Sequence, residues 1–219
     1  MKEPSIVAGD DKAAAERLRA GIAALGLSLP PEAEERLLAY LALLSRWNRV
    51  FNLTAVRGTE DMVTRHLLDS LAVVPHLPAG SLIDVGSGAG LPGIPIAIAD
   101  PARPVTLLDR SHKRIGFLTE AVARLGLGHV NLVCARAEEH QPASPYDVVI
   151  TRAFASLADA ATATRHLLAP GGVAVAMKGA LPTEEMAQLH NTLVIRAIHP
   201  LTVPGLNARR HLVTLVHGA

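Results

Sequence analysis

Cysteine and aromatic residues are scarce in this sequence. It has one cysteine, Cys134, and only 3% aromatic residues in 219 positions. A single cysteine excludes an internal disulfide and is typical of a protein from a reducing compartment. Cys134 lies in a predicted strand, so we expect a buried structural thiol and not a nucleophile. Because aromatic rings are few, aliphatic side chains must form most of the core, and 49% of the residues are apolar.

Long apolar runs and an excess of charge are also missing. No run approaches the roughly 18 apolar residues of a membrane span, and residues 1–12 lack the apolar segment of a signal peptide. These absences predict a cytoplasmic protein with no membrane partner. The net charge is only +1, so composition alone gives no reason to expect nucleic acid. Two clusters nevertheless allow a local basic face: Arg46, Arg49, Arg57 and Arg65, and then Arg209 and Arg210.

The hydrophobic pattern divides the chain into two parts. Up to residue 76, apolar residues recur at helical spacing, which predicts an N-terminal helical appendage over residues 1–76. Its last helix is expected to begin at Thr59 or Glu60 and to end before Pro75. From residue 77 to 219, short apolar runs alternate with helical stretches, which predicts an α/β domain.

The α/β part is predicted to form a sheet of seven strands. Strands that are apolar on both faces and joined by helices predict a parallel sheet covered on both sides. The last two strands are joined by a Pro-Gly-Leu-Asn loop and not by a helix, which predicts an antiparallel edge. The predicted strands are 82–85, 105–108, 131–134, 147–150, 173–177, 194–198 and 211–216, and the predicted helices are 93–99, 111–125, 157–168 and 183–190.

A glycine-rich turn, Asp84-Val85-Gly86-Ser87-Gly88-Ala89-Gly90, follows the first strand of this part. Open α/β sheets bind ligands beyond the carboxyl ends of their strands. Glycine lets the backbone turn tightly and lets a ligand approach where a Cβ would collide. Asp109 ends the second strand, 19 residues after Gly90, and its carboxylate can accept hydrogen bonds from two ribose hydroxyls. The turn and the acid predict a cofactor that contains a nucleoside.

Two cofactors fit this turn. Residues 88–93 match the dinucleotide fingerprint G-x-G-x-x-G, and Asp109 would serve that case too. Against a nicotinamide cofactor, Asp84 stands where dehydrogenases usually have an apolar side chain, and Pro92 and Pro95 remove backbone donors that a pyrophosphate needs. S-adenosylmethionine has no phosphate, and an acidic side chain favours its cationic groups. The pattern favours S-adenosylmethionine, with a nicotinamide-dependent oxidoreductase as the alternative.

Candidate residues also follow the third and fourth strands. Ala137 and Glu138 come after the third strand, where an adenine would lie against the edge of the sheet; the alternative for Glu138 is a solvated helix start. Arg152 ends the fourth strand at the centre of the carboxyl edge, where a transferred group would meet its acceptor. A charge in such a pocket needs a partner, so a surface ion pair is the alternative for Arg152.

Six segments in order resemble one family. They are Asn52-Leu53-Thr54, Arg65-His66-Leu67-Leu68-Asp69-Ser70, the glycine turn continued to Gly93, Thr151-Arg152-Ala153-Phe154-Ala155, Lys178-Gly179 and Arg210-His211-Leu212-Val213. This combination closely resembles the small-subunit ribosomal RNA guanine-N7 methyltransferases, also called the glucose-inhibited division protein B family, over about residues 37–216.

The resemblance implies a class I, Rossmann-like methyltransferase fold that binds S-adenosylmethionine and uses no metal. The implied reaction is methylation of N7 of one guanine in the position-527 loop of bacterial 16S rRNA. Because the chain is nearly neutral, we expect a partly assembled small-subunit particle as substrate in preference to naked RNA. We also expect a monomer.

Particular residues match the family's cofactor positions. The resemblance implies cofactor contacts at Gly86, Leu91, Ala137, Glu138 and Arg152, with Asp109 as the ribose-binding acid. The turn itself adds Asp84, Gly88 and Gly90 to the candidates.

The implied chemistry needs few catalytic groups. Guanine N7 carries a free lone pair, so no general base is required and His66 is not needed as one. Arg152 and Lys178 are the candidates for positioning the base or the cofactor, because arginine or lysine can hydrogen-bond guanine O6.

Arg65 and Asp69 are four positions apart on a helix, so they form a structural ion pair or contact the substrate. The candidates for holding rRNA are Arg46, Arg49, Arg57, Arg65, His66, Arg209 and Arg210. A methyltransferase-like binding module without turnover is a third possibility.

Overall fold

A computed structural model describes residues 8–152, 156–181, 183–187, 189 and 193–218. Helices precede the sheet, as the hydrophobic pattern predicts. The predicted helix from residue 59 is present, but its middle is a π-helix and its last turn ends at Leu71, before Pro75. The elements are α1 (Ala8–Ala24), α2 (Ala33–Phe51), α3 (Thr59–Met62), the π-helix Val63–Leu68 and α4 (Asp69–Leu71).

Within these described residues, the sheet has seven strands in the order β3-β2-β1-β4-β5-β7-β6. Strands β1 to β5 are parallel, and β7 pairs antiparallel with both β5 and β6. The predicted mostly parallel, Rossmann-like sheet with an antiparallel edge is confirmed. The strands are β1 (Leu82–Val85), β2 (Val105–Leu108), β3 (Val130–Val133), β4 (Tyr146–Arg152), β5 (Leu168–Lys178), β6 (Leu193–Pro200) and β7 (His211–His217).

In the described part of the chain, four α-helices lie between the strands: α5 (Gly93–Ala99), α6 (His112–Leu125), α7 (Leu157–Thr164) and α8 (Thr183–Ala187). The predicted helix 157–168 is too long, because a 3-10 turn follows α7 and Leu168 already begins β5. Of the predicted helix 183–190, positions 188 and 190 lie outside the described residues. Among the described helices, none combines the length and the apolar character needed to cross a membrane.

Apolar cores cover both faces of the sheet, because successive side chains of a strand point to opposite faces. On one face, Leu107 of β2 packs in a core that also contains Leu18 of α1, Leu41 of α2 and Leu67 of the π-helix. On the other face, Ile83 and its neighbours pack with α7. The N-terminal helices and one side of the sheet therefore share a continuous core, which fixes the helices relative to the carboxyl edge.

Cys134 differs from the prediction. The side chain is exposed and not buried, and its Sγ lies 3.3 Å from Nδ1 of His112. The physical reason is that β3 ends at Val133 and is the edge strand of the sheet. A residue just beyond the end of an edge strand has a neighbouring strand on one side only, so less of the protein covers it.

Candidate active site

The glycine turn depends on conformations that other residues rarely adopt. Gly86, Gly88 and Gly90 have φ angles of 72°, 60° and 85°, in the left-handed region that glycine enters freely. Behind the turn, the fully buried Asp84 accepts a 2.8 Å hydrogen bond from the backbone N–H of Gly93. The turn is therefore fixed to both the end of β1 and the start of α5.

A second support for the turn comes from the N-terminal helices. The hydroxyl of Tyr40 in α2 donates a 2.6 Å hydrogen bond to the carbonyl of Ala89. Tyr40 is fully buried, and burial raises the pKa of its hydroxyl, which therefore stays a donor at ordinary pH. The N-terminal helices thus help to hold the turn in place.

The donors at the start of α5 are already used. The N–H of Gly93 bonds to Asp84, the N–H of Ile94 bonds to the carbonyl of Gly90 at 2.7 Å, and Pro95 has no N–H. A phosphate bound at a helix N-terminus relies on free N–H groups. The first turn of α5 is therefore poorly equipped to hold a pyrophosphate.

A cavity of about 750 Å³ lies over the glycine turn, and we call it the turn cavity. This volume is within the range of sites for small molecules and cofactors. Asp84 and Gly90 do not line it, because both are buried behind its wall. Most of the predicted cofactor residues do line it: Gly86, Gly88, Leu91, Asp109, Ala137, Glu138 and Arg152.

Asp109 both lines the turn cavity and anchors the turn. The carboxylate is 2% exposed. Its Oδ2 accepts hydrogen bonds from the N–H of Gly88 at 2.9 Å and from Arg114 at 3.1 Å, and its Oδ1 accepts the N–H of Ser111 at 2.9 Å. Each carboxylate oxygen can accept more than one hydrogen bond, so Oδ1 is able to accept a further donor from the cavity.

A second cavity of about 420 Å³ adjoins the first, and we call it the cationic cavity. Arg152, at the end of β4, lines both cavities. Most of the polar side chains around the second cavity are cationic, in contrast to the near-neutral chain as a whole. Its lining residues are Val56, Arg65, His66, Asp69, Arg152, Met177, Lys178, Gly179 and Arg210.

Asp69 supplies the negative charge of the cationic cavity. Its side chain is 5% exposed, and it forms salt bridges with Nε of Arg210 at 2.7 Å and with Nη1 of Arg152 at 3.7 Å. The sequence predicted that Arg152 needs a partner of opposite charge, and in the structure that partner is Asp69. The salt bridges of Asp69 among the described residues do not include Arg65, which is exposed and lines the cavity.

Lys178 is held by the short helix α8. Its Nζ lies 2.8 Å from Oε2 of Glu185, and its side chain is 13% exposed. The same carboxylate oxygen accepts the backbone N–H of Leu157 at the start of α7. This arrangement fixes the ammonium group at the wall of the cationic cavity.

His66 joins the walls of the two cavities. It lies in the π-helix and lines the cationic cavity, and its Nε2 is 2.9 Å from Oγ1 of Thr54, which lines the turn cavity. Burial, followed by the charge of Arg152, lowers the pKa of His66 to about 4, so the ring is neutral at pH 7. A π-helical segment is frequent at functional sites, and here it carries both Arg65 and His66.

The arginines predicted to hold RNA differ in their surroundings. Arg46, Arg49 and Arg209 are all exposed, and Arg46 lies 2.8 Å from Glu120 in a salt bridge. Arg57 donates to the side-chain carbonyl of Asn52 at 3.2 Å. Glu120 also pairs with Arg124 at 2.7 Å, so its carboxylate offsets the charge of Arg46 in part, whereas Arg49 carries no such counter-charge among the described salt bridges.

Several lining residues were not predicted from the sequence. Leu53, Thr54, Arg110, Arg114 and Arg136 line the turn cavity. A signal was available for Arg110 and Arg136, since both come just after strands whose carboxyl ends form the site. For Leu53 and Thr54 the signal was the family segment Asn52-Leu53-Thr54, which did not by itself assign these residues to the cofactor site.

No group of three or more His, Cys, Asp or Glu side chains that could hold a metal ion is found in the part of the chain that the structure describes. The lining of the two cavities combines the glycine turn with acidic and cationic side chains.

Solved methyltransferases are among the structures with a similar fold. Ribosomal protein L11 methylase from Lactobacillus delbrueckii matches with a TM-score of 0.53 and 16% identity, covering 75% of this chain and 81% of that one. A SAM-dependent methyltransferase from Thiobacillus denitrificans, solved in complex with S-adenosyl-L-homocysteine, matches with a TM-score of 0.50 and 14% identity, covering 68% and 90% of the two chains. The fold is that of a Rossmann-like methyltransferase.

Sequence comparison identifies the family. A family model described as rRNA small subunit methyltransferase G matches residues 33–213. The ribosomal RNA small subunit methyltransferase G of Methylobacillus flagellatus is 52% identical over 200 residues, which cover 91% of this chain and 97% of the relative. The chain belongs to the rRNA small subunit methyltransferase G family, as the sequence motifs predict.

Proposed function

We propose that this protein transfers a methyl group from S-adenosylmethionine to N7 of a guanine in small-subunit ribosomal RNA. The observation that carries the proposal is the pair of adjoining cavities that share Arg152. One cavity lies over the glycine turn and the other is lined mainly by cations. Membership of a family named for methylation of this RNA supports the same conclusion.

The turn cavity suits S-adenosylmethionine, which would supply an electrophilic methyl group on a sulfonium sulfur. Asp109 would accept hydrogen bonds from the ribose hydroxyls, and Ala137 and Glu138 would contact the adenine. Gly86 and Leu91 would form the wall beside the methionine part. Because the first turn of α5 has its donors already occupied, a ligand without phosphate is favoured over a nicotinamide dinucleotide.

The cationic cavity suits the acceptor nucleotide. Arg65 and Arg210 would attract the RNA backbone, and Arg152 and Lys178 would position the base next to the methyl group. Guanine N7 attacks with its own lone pair, so no side chain has to remove a proton. Holding the two reactants in line can contribute on the order of 7–11 kcal/mol to catalysis, and the buried ion pairs of the cavity provide rigid positioning.

The N-terminal helical part would extend the RNA-binding surface. We propose that residues 1–76 act as a helical appendage to a methyltransferase domain of residues 77–219, with Arg46, Arg49 and Arg57 facing RNA phosphates. Arg209 would contribute from the loop before β7. The family resemblance supports the position-527 loop of 16S rRNA as the acceptor region, within a partly assembled small-subunit particle, for a monomeric cytoplasmic enzyme that needs no metal.

The test uses small-subunit particles purified from a strain that lacks the enzyme. The protein is incubated with these particles and methyl-labelled S-adenosylmethionine, and the RNA is digested and analysed for 7-methylguanosine. We expect one labelled guanine. Tight S-adenosylmethionine binding without any label would instead support a binding module, whereas tight NADH binding without S-adenosylmethionine binding would support an oxidoreductase.

A further inference from the structure

The end of α2 carries an exposed apolar patch that neither cavity uses. Four large apolar side chains are exposed in the described part of the chain, and two of them, Val50 at 72% and Phe51 at 36%, are consecutive residues. Apolar side chains exposed singly need no explanation, whereas contiguous patches mark interaction sites. This patch is small, so its surroundings decide what it binds.

The patch adjoins the turn cavity through two segments. Asn52 ends α2 in the left-handed conformation, with a φ of 49°, and the next residue, Leu53, already lines the turn cavity. From the other side, Lys113 donates a 3.0 Å hydrogen bond to the carbonyl of Phe51, and the residue after it, Arg114, lines the same cavity. Cα atoms two positions apart are separated by at most about 7 Å, so Phe51 lies at the rim of the turn cavity.

The ring of Phe51 is held in place by other aromatic side chains. The ring centroids of Trp47 and Phe51 are 4.9 Å apart, and Trp47 lies 5.6 Å from the ring of Phe117, which is fully buried. Nε1 of Trp47 also donates a 2.9 Å hydrogen bond to Glu120. A side chain that is already ordered loses less entropy when a ligand binds to it, so Phe51 is prepared for a contact.

The charged groups around the patch are cations without acidic partners. Arg49, Arg57 and Lys113 are exposed, and none of them belongs to a salt bridge among the described residues. The acid that bonds to Trp47, Glu120, is shared with two other arginines. An aromatic side chain next to uncompensated cations is the usual site for an unpaired base and its phosphate.

A continuous stretch of chain leads from the patch to the site of the acceptor nucleotide. Leu53 and Thr54 line the turn cavity, and Val56 lines the cationic cavity. Five positions separate Phe51 from Val56, which corresponds to at most about 18 Å between their Cα atoms. An RNA strand with one guanine in the cationic cavity can therefore bring a nearby base to Phe51.

We propose that Phe51 stacks on an unpaired RNA base within three nucleotides of the acceptor guanine. The inference rests on the proposed function, because it requires the guanine to occupy the cationic cavity. Phe51 is thus a substrate-positioning residue: it binds RNA outside the two cavities and takes no part in the transfer itself. Val50 extends the apolar surface beside the ring.

Lys113 covers part of the ring before RNA binds. Its Nζ lies 5.8 Å from the centroid of the Phe51 ring. An exposed cation–π contact is weaker than the stacking of a base on an aromatic ring, so the base displaces the ammonium group. The displaced group binds the adjoining phosphate, and this contact replaces its hydrogen bond to the carbonyl of Phe51.

The test removes the ring and the base separately and together. Small-subunit particles are reconstituted with intact RNA, or with an abasic nucleotide at one of the three positions on either side of the acceptor guanine. Phe51→Leu keeps an apolar side chain without a ring, Phe51→Tyr keeps the ring, and Val194→Ala, at another exposed apolar residue, is the control. The second-order rate of methyl transfer is measured at saturating S-adenosylmethionine, whose affinity for each protein is first determined by calorimetry.

On intact particles, Phe51→Leu should be slower than the wild type by roughly 5- to 150-fold, the effect expected from one stacked base. Phe51→Tyr and Val194→Ala should match the wild type. With the abasic nucleotide at one particular position, the wild type and Phe51→Leu should become equally fast. A full loss in Phe51→Leu at every abasic position would overturn the inference and indicate a protein of the particle at this patch.

Two other outcomes separate this inference from the proposed function. If Phe51→Leu methylates intact particles as fast as the wild type does, the inference is wrong and the proposed function stands. A wild type that methylates no particle, intact or abasic, would instead overturn the proposed function.

Lys113→Gln tests the phosphate contact by its salt dependence. The variant keeps most of the side-chain stem and removes the charge. The slope of log affinity for the particle against log salt concentration should therefore become shallower by about 0.7, the value for a single strand. Lys12→Gln, at an exposed residue of α1, is the control and should leave the slope unchanged. Equal slopes for Lys113→Gln and the wild type would contradict a phosphate contact at Lys113.

Discussion

Asp69 accepts a 2.7 Å hydrogen bond from Nε of Arg210, although the two residues are 141 positions apart in the chain. The same carboxylate pairs with Arg152 at the end of β4. One buried anion therefore joins the helical part, the centre of the carboxyl edge and the loop before β7. This link holds together three of the segments that line the cationic cavity.

Asp69→Asn should weaken both the fold and the reaction. Removing one partner of a buried ion pair leaves the other charge uncompensated. Since Arg152 and Arg210 are about a quarter exposed, we expect a loss of roughly 1–3 kcal/mol in the free energy of unfolding. Urea denaturation measures this loss. Asp61→Asn, on the exposed side of α3, is the matched control and should leave the midpoint unchanged; an equal loss in both variants would contradict the role of Asp69.

Tyr40→Phe should loosen the glycine turn without moving the rest of the core. The variant removes the buried hydroxyl that bonds to the carbonyl of Ala89, and a buried carbonyl left unsatisfied costs about 1–3 kcal/mol. Because Ala89 lines the turn cavity, the affinity for S-adenosylmethionine should fall several-fold in calorimetry. Tyr146→Phe, which removes a hydroxyl bonded to Thr106 outside both cavities, should leave that affinity unchanged. Equal effects in both variants would speak against a specific role for Tyr40.

Asp109→Ala should reduce the affinity for S-adenosylmethionine by at least about tenfold, since hydrogen bonds to a charged group contribute roughly 1.5–3 kcal/mol. Part of the loss comes from the turn, because Asp109 also holds the N–H of Gly88. The control in the same calorimetric titration is Asp147→Ala. Asp147 lies near the start of β4, away from the carboxyl edge of the sheet, and bonds to Ser81. Unchanged affinity in Asp109→Ala would show that the ribose lies elsewhere.

Asp84 should make the stability of the protein depend on pH. Burial raises its pKa from 3.8 to about 7, although the N–H of Gly93 and the charge of Arg152 oppose the shift. Between pH 4 and 7 the folded state keeps a proton that the unfolded state has released, so the free energy of unfolding falls as the pH rises through this window. His66 has the opposite effect between about pH 4 and 6.5, since its pKa is lowered in the folded state.

Asp84→Asn separates the two effects, because His66 is present in both proteins and cancels in the difference. As the pH rises from 4 to 7, the free energy of unfolding of the variant should increase relative to that of the wild type. For a pKa raised from 3.8 to about 7, this difference should reach up to about 4 kcal/mol and then level off. Urea denaturation at several pH values measures it. A difference that does not vary with pH would mean that Asp84 titrates normally.

Much of the sheet is predictable because its signals are local. The strands 82–85 and 105–108 and the helix 93–99 match the structure residue for residue, since short aliphatic runs bounded by Gly, Pro or Asp leave little choice of boundary. The family motifs likewise identify the turn and Arg152. Cys134 was misplaced because burial at the end of a strand depends on which strands flank it, and the strand order is not a local property.

The partners within the site could not be read from the sequence. Spacing on a helix suggested Arg65 for Asp69, but the observed partner, Arg210, comes from the far end of the chain. The π-helix could not be predicted either, because one widened turn alters the spacing of apolar residues too little to be recognised in the sequence. Thr54 lies in a loop whose position is set by the fold of α2 and the π-helix, and its contact with His66 appears only in three dimensions.

The contrast between Arg46 and Arg49 gives a last prediction, on binding to the ribosomal particle. Both side chains are exposed, but Arg46 lies 2.8 Å from Glu120, which also pairs with Arg124, whereas Arg49 has no counter-charge among the described salt bridges. Each phosphate contact that is lost should lower the slope of log affinity against log salt concentration by about 0.7–0.9. Arg49→Ala should therefore weaken binding and flatten the salt dependence, measured with small-subunit particles from the strain without the enzyme, and Arg46→Ala should do so less. If Arg46→Ala had the larger effect, Glu120 would have to release Arg46 when RNA binds, and Glu120→Gln would then strengthen binding.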